Sequence, residues 1–499
     1  MQPKFRFLRR LTGSPDCISK VPLLNQVILA YLALSLVTSA LFLIAPVVSF
    51  LSRTPLGHMQ AYLGILGAGL VCMDLLTNKV LWRGPYVALL YGICALAAVS
   101  SILTISYGVR DNLFQICWTG IEFALFYSCI FRTDRPKFHR YIRRVFLVLL
   151  VIWLIACCVS LFQYVFQIGY RYVVQPLSDD KSLARQGFLE NRLFGIFNPL
   201  SHAVYVSCML LIGGIYYLIR SRQVWKRVLL ALADVVLLLH IVLSGSRGPQ
   251  VVLLVCVFAV VFLLVRNRIT GSAFRRFVTS CLSALLVSAI CIPCFLGIKS
   301  GLAQIPRLTG ELVDGNELFH VEELPEDVNI LERQGLEDDI SNDRFQIWSD
   351  YFSLSPEIGL LGLSPGNYMP YIQENFPDLF IVEYVRENFP GKFESGTIYH
   401  VHNGYLMVLV STGFLGLALL LAYLVLAVLR VGRYILRTRC LSQSFVFSLA
   451  IVLAGGISAL FDKGLFFMNN TPTLLFWMAA GMVMVQSADS LPAKPSEGV

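Results

Sequence analysis

The sequence predicts an all-α polytopic membrane protein of about twelve transmembrane helices, with one large extracytoplasmic loop containing short helices. Three observations carry this. The 499 residues are 56% hydrophobic and only 14% charged, with a mean hydropathy of +0.69, whereas a soluble domain carries about a quarter charged residues. Apolar runs of about 18 residues or more recur along the whole length, enough for a helix to cross a hydrocarbon core about 30 Å thick. Lysine and arginine then alternate between thick and thin clusters from one connection to the next, as the positive-inside rule requires.

Taken in order, the apolar runs lie near 27–49, 58–76, 85–106, 113–131, 145–168, 200–219, 228–243, 249–265, 277–298, 403–429, 442–461 and 471–486. The first is too long for the apolar region of a cleaved signal peptide and reads as a retained span. With the N-terminus inside, the inner segments hold 26 of the 40 basic residues. They include Lys4 to Lys20, Arg132 to Arg144, Arg220 to Arg227, Arg266 to Arg276 and Arg430 to Arg439. Both termini are therefore expected on the cytoplasmic side. This divides the chain into 1–298 (nine spans), 299–402 (the loop) and 403–499 (three spans and a tail). The net charge of +9 is placed for a membrane surface and implies no nucleic-acid partner.

The 299–401 stretch is the one long polar segment, with 19 acidic and 6 basic residues. Glu322, Glu323, Asp338 and Asp339 read as a solvated surface, and against that background Arg344 stands apart. Of the thirteen cysteines, Cys17 and Cys440 fall in short basic segments and the other eleven in apolar spans, so they read as packing residues. Cys291 and Cys294 have redox-motif spacing without the surrounding fold such a motif needs. No internal repeat is evident, which disfavours a repeat-built transporter.

Several residues are candidates for chemistry. Arg247, in the turn Leu243-Ser244-Gly245-Ser246-Arg247-Gly248-Pro249, is an outer-face arginine beside the hydrocarbon. It either snorkels to lipid headgroups or is held to receive a phosphate through paired N–H donors. If the helix continues through this turn, His240, Ser244 and Arg247 share one face. Arg344 follows Ser341, Asn342 and Asp343, any of which can cap a short helix; it is either a surface ion-pair member or an anion ligand. His402-Asn403 lies where the loop re-enters the membrane, and a neutral imidazole there can accept a proton. His400 raises a histidine metal pair, but no third ligand has recognisable spacing. Arg192 closes the 170–199 loop above an apolar span. Glu122 and Asp234 are intramembrane carboxylates; Asp234 is expected to be structurally paired, and Glu122 is left open.

In this order and placement, four groups resemble the signature of the O-antigen ligase and polymerase family. They are Gly245-Ser246-Arg247-Gly248, Arg344 with Trp348, Pro356 through Gly366-Asn367-Tyr368, and His402-Asn403-Gly404-Tyr405-Leu406 with Thr412-Gly413-Phe414-Leu415-Gly416. The glycine turn reads Gly362-Leu363-Ser364-Pro365-Gly366, a departure from the family's commoner Gly-x-Gly. The resemblance implies a membrane glycosyltransferase of the C type in the cytoplasmic membrane. Its donor would be a polyprenyl-diphosphate-linked glycan and its acceptor a glycan or lipid-glycan hydroxyl on the outer face. Arg247 and Arg344 would bind the diphosphate, His402 would activate or orient the acceptor, and Arg192 and Asn403 would line the substrate site. The segment Phe50 to Gly57 has no acidic residue, unlike the first outer segment of metal-dependent oligosaccharyltransferases. No metal and no other cofactor is therefore expected. The alternatives are a lipid-linked oligosaccharide flippase or other transporter, and a non-catalytic scaffold.

Overall fold

The computed structural model describes residues 21–173, 183–313 and 343–488. Glu322, Glu323, Asp338, Asp339, Ser341 and Asn342, the N-terminal basic cluster and Cys17 lie outside the described residues. Helices run up and down a single bundle: α1 (Pro22–Leu41), α2 (Met59–Leu76), α3 (Val87–Leu103), α4 (Arg110–Ile121), α5 (Arg135–Val165), α6 (Leu200–Arg220), α7 (Val224–Leu243), α8 (Arg247–Arg268) and α9 (Ala273–Leu302). After short loop helices α10 (Arg344–Ser353), α11 (Tyr368–Asn375) and α12 (Phe380–Asn388) come α13 (Gly404–Arg437), α14 (Gln443–Ser458) and α15 (Thr471–Gln486). Among the described residues, seven helices are long and apolar enough to cross a membrane, while α3, α14 and α15 are shorter apolar helices. The protein is a mostly helical, polytopic membrane protein.

Side chains set several helix starts. Asp134 accepts from the Lys137 N–H at 2.9 Å, Ser442 from the Phe445 N–H at 3.1 Å and Asn470 from the Thr473 N–H at 2.8 Å, each satisfying a donor the first turn leaves open. Helices α6 and α15 are buried along most of their length and form the centre. Helix α9, in which Ser280, Ala284 and Ser288 are the buried residues, lies at the edge.

The expectation of an all-α fold needs correcting at the 170–199 loop. Strands β1 (Gly169–Val173), β2 (Leu183–Leu189) and β3 (Arg192–Gly195) form an antiparallel sheet in the order β1-β2-β3. Leu189 pairs with Arg192, so Glu190 and Asn191 alone make the turn, with φ of 53° and 55°. That is the two-residue hairpin geometry whose twist matches the strands. Aromatic residues Tyr170 and Phe188 suit a half-buried pleated surface.

A second feature positions the loop. Helix α13 breaks at Gly413 (φ 67°, ψ −169°), a backbone region open essentially to glycine alone. The break frees backbone groups inside the bundle, and Gly359–Ser364 takes them up. The Leu363 N–H donates to Val410 O (2.7 Å) and the Ser364 N–H to Ser411 O, while the Phe414 and Leu415 N–H groups donate to Gly359 O and Leu360 O. Irregular backbone at membrane depth is stable only when it is satisfied in this way. The glycine turn thus serves as the strap that docks the loop into the bundle. Asn367 fastens it further, its amide donating to Thr104 O and Gly108 O at 2.8 Å each.

A Cβ at Gly413 would fall on the Leu360 carbonyl. Gly413→Ala is therefore expected to cost about 2 kcal/mol or more, from the strained backbone region and the collision together. Thermal unfolding of the purified protein in detergent measures it; an unchanged Tm would show that α13 is not broken there.

Candidate active site

Seven segments meet at the loop end of the bundle. Residues 399–403 form its spine, running extended into α13. Helix α10 lies on this spine: the Trp348 indole donates to Val401 O at 3.0 Å and the Tyr351 hydroxyl to Tyr399 O at 3.0 Å. Arg344 is thereby held in the first turn of a helix anchored beside His402. Asp343 precedes it with φ 61° but makes no side-chain cap. The α14–α15 connection wraps the other side, with the Gly404 N–H donating to Ala459 O at 2.7 Å. His402 itself has φ 50°, an uncommon conformation for a non-glycine residue.

The charged centre comes from that connection. Asp462 accepts from the Ser201 hydroxyl at 3.0 Å and lies 3.2 Å from His202 Nε2, both in the first turn of α6. Lys463 Nζ lies 2.5 Å from His400 Nε2, and His400 Nδ1 lies 3.1 Å from the Tyr368 hydroxyl. Burial pushes the Asp462 carboxyl up, but His202, His402 and the Lys463 N–H outweigh it and hold it well below the usual carboxylate range. Burial lowers His402 to about 4, against the pull of Asp462 and with the push of Arg344, Lys463 and His202. The imidazole is thus neutral at pH 7 and lies within electrostatic reach of all four. His400 is likewise neutral, lowered by burial and by Lys463. Burial brings Lys463 down to about 8, with Asp462 opposing.

The third wall is the turn between α7 and α8. Arg192, at the start of β3, donates to Ser244 O at 3.1 Å and to the Ser246 hydroxyl at 3.3 Å. A Cβ on Gly248 would lie 2.7 Å from the Tyr205 hydroxyl and 3.6 Å from Phe461. The turn carrying Arg247 is therefore seated against the residue preceding Asp462. Arg247 is exposed at the first position of α8. Arg344, Lys463 and a carboxylate tied to His202 thus lie within electrostatic reach of the neutral His402 imidazole, and Arg192 and Arg247 sit on the adjoining α7–α8 wall. Such a place can take a multiply charged anion and accept a proton.

Several sequence expectations change. The helix does not continue from His240 to Arg247: α7 ends at Leu243 and Gly245 turns with φ 62°. His240 faces Ser207 at 2.9 Å in the buried core. Asn403 caps α13, its oxygen accepting from the Tyr405 and Leu406 N–H groups at 3.0 and 3.1 Å. Asp234 has no pairing partner among the described residues and is packed against Gly214. Glu122 is buried in the π-turn Glu122–Phe126, apart from this cluster. Cys291 and Cys294 are free thiols along α9. Among the described residues no three His, Cys, Asp or Glu side chains are placed to hold a metal ion.

Sequence reasoning missed Asp462, Lys463 and His202. The available signal was that Asp462 and Lys463 are the only charged residues between 443 and 486, at the bundle end that carries the loop.

The fold defines the class: a mostly helical, polytopic membrane protein, with a cluster of charged and imidazole side chains at one end of the bundle. Residues 232–421 match the O-antigen ligase family, so the resemblance carried by the motifs holds. The match takes in Arg247, Arg344 and His402, whereas Arg192, His202, Asp462 and Lys463 lie outside it. Comparison with curated proteins and with solved structures returns no match.

Because His402 is lowered from its ordinary 6.5 to about 4, the unfolded chain binds a proton there between those values and the folded chain does not. Its contribution to stability is complete above about pH 6.5 and is lost as the pH falls through about 4. His402→Gln is expected to flatten the decline of Tm over that window. An identical decline in both proteins would place His402 in solvent.

Proposed function

We propose that the protein carries out membrane glycosyl transfer in surface polysaccharide assembly, moving a glycan from a polyprenyl-diphosphate carrier to an acceptor hydroxyl at the outer face of the cytoplasmic membrane, with inversion at the anomeric carbon. The observation that supports this best is a neutral imidazole, His402, set among cations at the membrane boundary. Arg247 and Arg344, with Arg192 alongside, receive the diphosphate. Their guanidinium groups are always charged and match phosphate oxygens in pairs.

The acceptor hydroxyl attacks the anomeric carbon on the face opposite the diphosphate. His402 takes its proton as the new C–O bond forms. The bond from the anomeric carbon to the diphosphate breaks, and its electron pair leaves on the diphosphate oxygen. Cations already in place stabilise that growing charge without reorganisation. Lys463, held by His400, adds positive charge, and Asp462 stabilises the imidazolium once formed. No divalent ion is needed in this scheme, since arginines supply the charge a metal would. The gathering of these residues at one end of the bundle, and not through the membrane thickness, favours transfer over a flippase.

With a purified lipid-linked glycan and acceptor, His402→Ala is expected to lower kcat on the order of 10²–10⁴-fold, the usual contribution of a positioned base. Arg344→Ala and Arg247→Ala are expected to lower kcat/KM by at least about 10²-fold, the scale for losing one preorganised charge. Wild-type rates for all three, with normal expression, would exclude this site.

The pH profile supplies a second test. Neutral His402 is present above about 4 and the Lys463 ammonium below about 8, so kcat/KM should plateau between them. Lys463→Arg should move the alkaline fall upward. Abolition of activity by a chelator would overturn metal independence.

A further inference from the structure

A large cavity opens at the end of the bundle away from the candidate active site. It measures about 1090 Å³ and lies between α5, α6, α7, α14 and α15. Its walls are apolar, with Leu150 and Leu154 from α5, Met209 from α6, Phe447 from α14 and Met482 from α15. Its mouth is basic: Arg140 and Arg143 from the start of α5, Arg220 and Arg222 after α6, and Lys226 at the start of α7. Among the described residues none of these five side chains pairs with a carboxylate. Asp234 is packed against Gly214 and lines no part of the cavity. Tyr216, Tyr217 and Trp225 also line it, and aromatic residues of this kind favour the headgroup level of a bilayer. Arg220 lies over the Tyr216 ring at 5.6 Å, which holds its guanidinium at that level.

The depth is fixed by α6. His202 and Arg220 lie at opposite ends of that helix, and the eighteen residue steps from one to the other span about 27 Å at 1.5 Å per step. The cavity mouth and the candidate active site therefore open at opposite membrane faces. A diphosphate held near His402 does not reach it.

We infer that this cavity is a binding site for an anionic phospholipid of the leaflet opposite the active site, with its phosphate among Arg140, Arg143, Arg220, Arg222 and Lys226 and its acyl chains along the apolar walls. The shape excludes a free anion as the full occupant, because most of the volume is lined by hydrocarbon. The charge favours an anionic lipid over a neutral one, because a cluster of basic residues at the headgroup level attracts anionic headgroups. Each basic residue near a membrane surface attracts anionic lipid by about 1 kcal/mol, or roughly fivefold in affinity. The same five residues belong to the basic segments that positive-inside bias assigns to the cytoplasmic side. There they do a second thing, which is to surround an entrance.

The full-length protein, purified in neutral detergent, would be titrated with short-chain phosphatidylglycerol, short-chain phosphatidylcholine and inorganic phosphate, reading bound lipid by native mass spectrometry and Tm by thermal shift. Phosphatidylglycerol is expected to bind saturably and raise Tm, phosphatidylcholine to bind at least about tenfold more weakly, and phosphate alone to do neither. Arg140→Gln with Arg220→Gln should weaken phosphatidylglycerol about 25-fold, on the scale of roughly fivefold per charge removed. Should that double variant fail to fold, Arg222→Gln and Lys226→Gln, each at the rim, make the same test singly at about fivefold. Equal binding of the two lipids to wild type, or unchanged affinity in the variants, would overturn the proposal. So would equal stabilisation by phosphate alone, or a dimer that forms through this face without lipid.

Discussion

The break in α13 at Gly413 is the constraint on which the rest of this molecule depends. An interrupted helix inside a bundle leaves backbone groups with no water to receive them, so another segment must supply partners. Here the partner is Gly359–Ser364, and its docking has a consequence for chemistry. It fixes the loop on both sides of the strap: α10, with Arg344, before it, and α11, with the Tyr368 that holds His400, after it. The first half of α13 begins at Gly404, two residues beyond His402. A backbone requirement inside the bundle thus sets the positions of side chains at its surface.

The electrostatics of the site follow from the same arrangement. Burial drives His402 and His400 toward the neutral form, while Asp462, equally buried, stays charged because His202 and Ser201 meet it directly. Arg344 and Lys463 lie within electrostatic reach of the same imidazole as Asp462, so positive charge outweighs the single paired carboxylate there. Desolvation and charge thus act on different groups in one small volume, leaving neutral imidazoles beside a charged carboxylate.

Much of this was legible in the sequence, for identifiable reasons. Apolar runs and basic clusters mark the spans because the bilayer imposes length and polarity on each segment separately. Arg247, Arg344 and His402 drew attention as isolated polar residues beside hydrocarbon. The 170–199 sheet was obscured because three short strands give only weak periodicity, and its turn uses Glu190-Asn191 instead of a glycine pair. His240 was misplaced with Arg247 because a single positive φ at Gly245 decides whether the helix continues. Asp462, Lys463 and His202 were overlooked because their meaning lies in contacts across 60 to 260 residues of chain, which no local pattern encodes.

The central claim is that Arg192, Arg247, Arg344 and Lys463 surround one diphosphate-binding site on one side of the membrane. The most direct measurement is labelling with a membrane-impermeant maleimide in sealed vesicles of known orientation, using Arg192→Cys, Arg247→Cys, Arg344→Cys, Lys463→Cys and, as the reference for the other side, Arg220→Cys. The account predicts that the first four label from the outer face, that Arg220→Cys labels from the opposite face, and that added polyprenyl diphosphate slows the reaction at the four alone. Labelling of Arg247→Cys and Arg344→Cys from opposite faces, or no protection at any of the four, would contradict it.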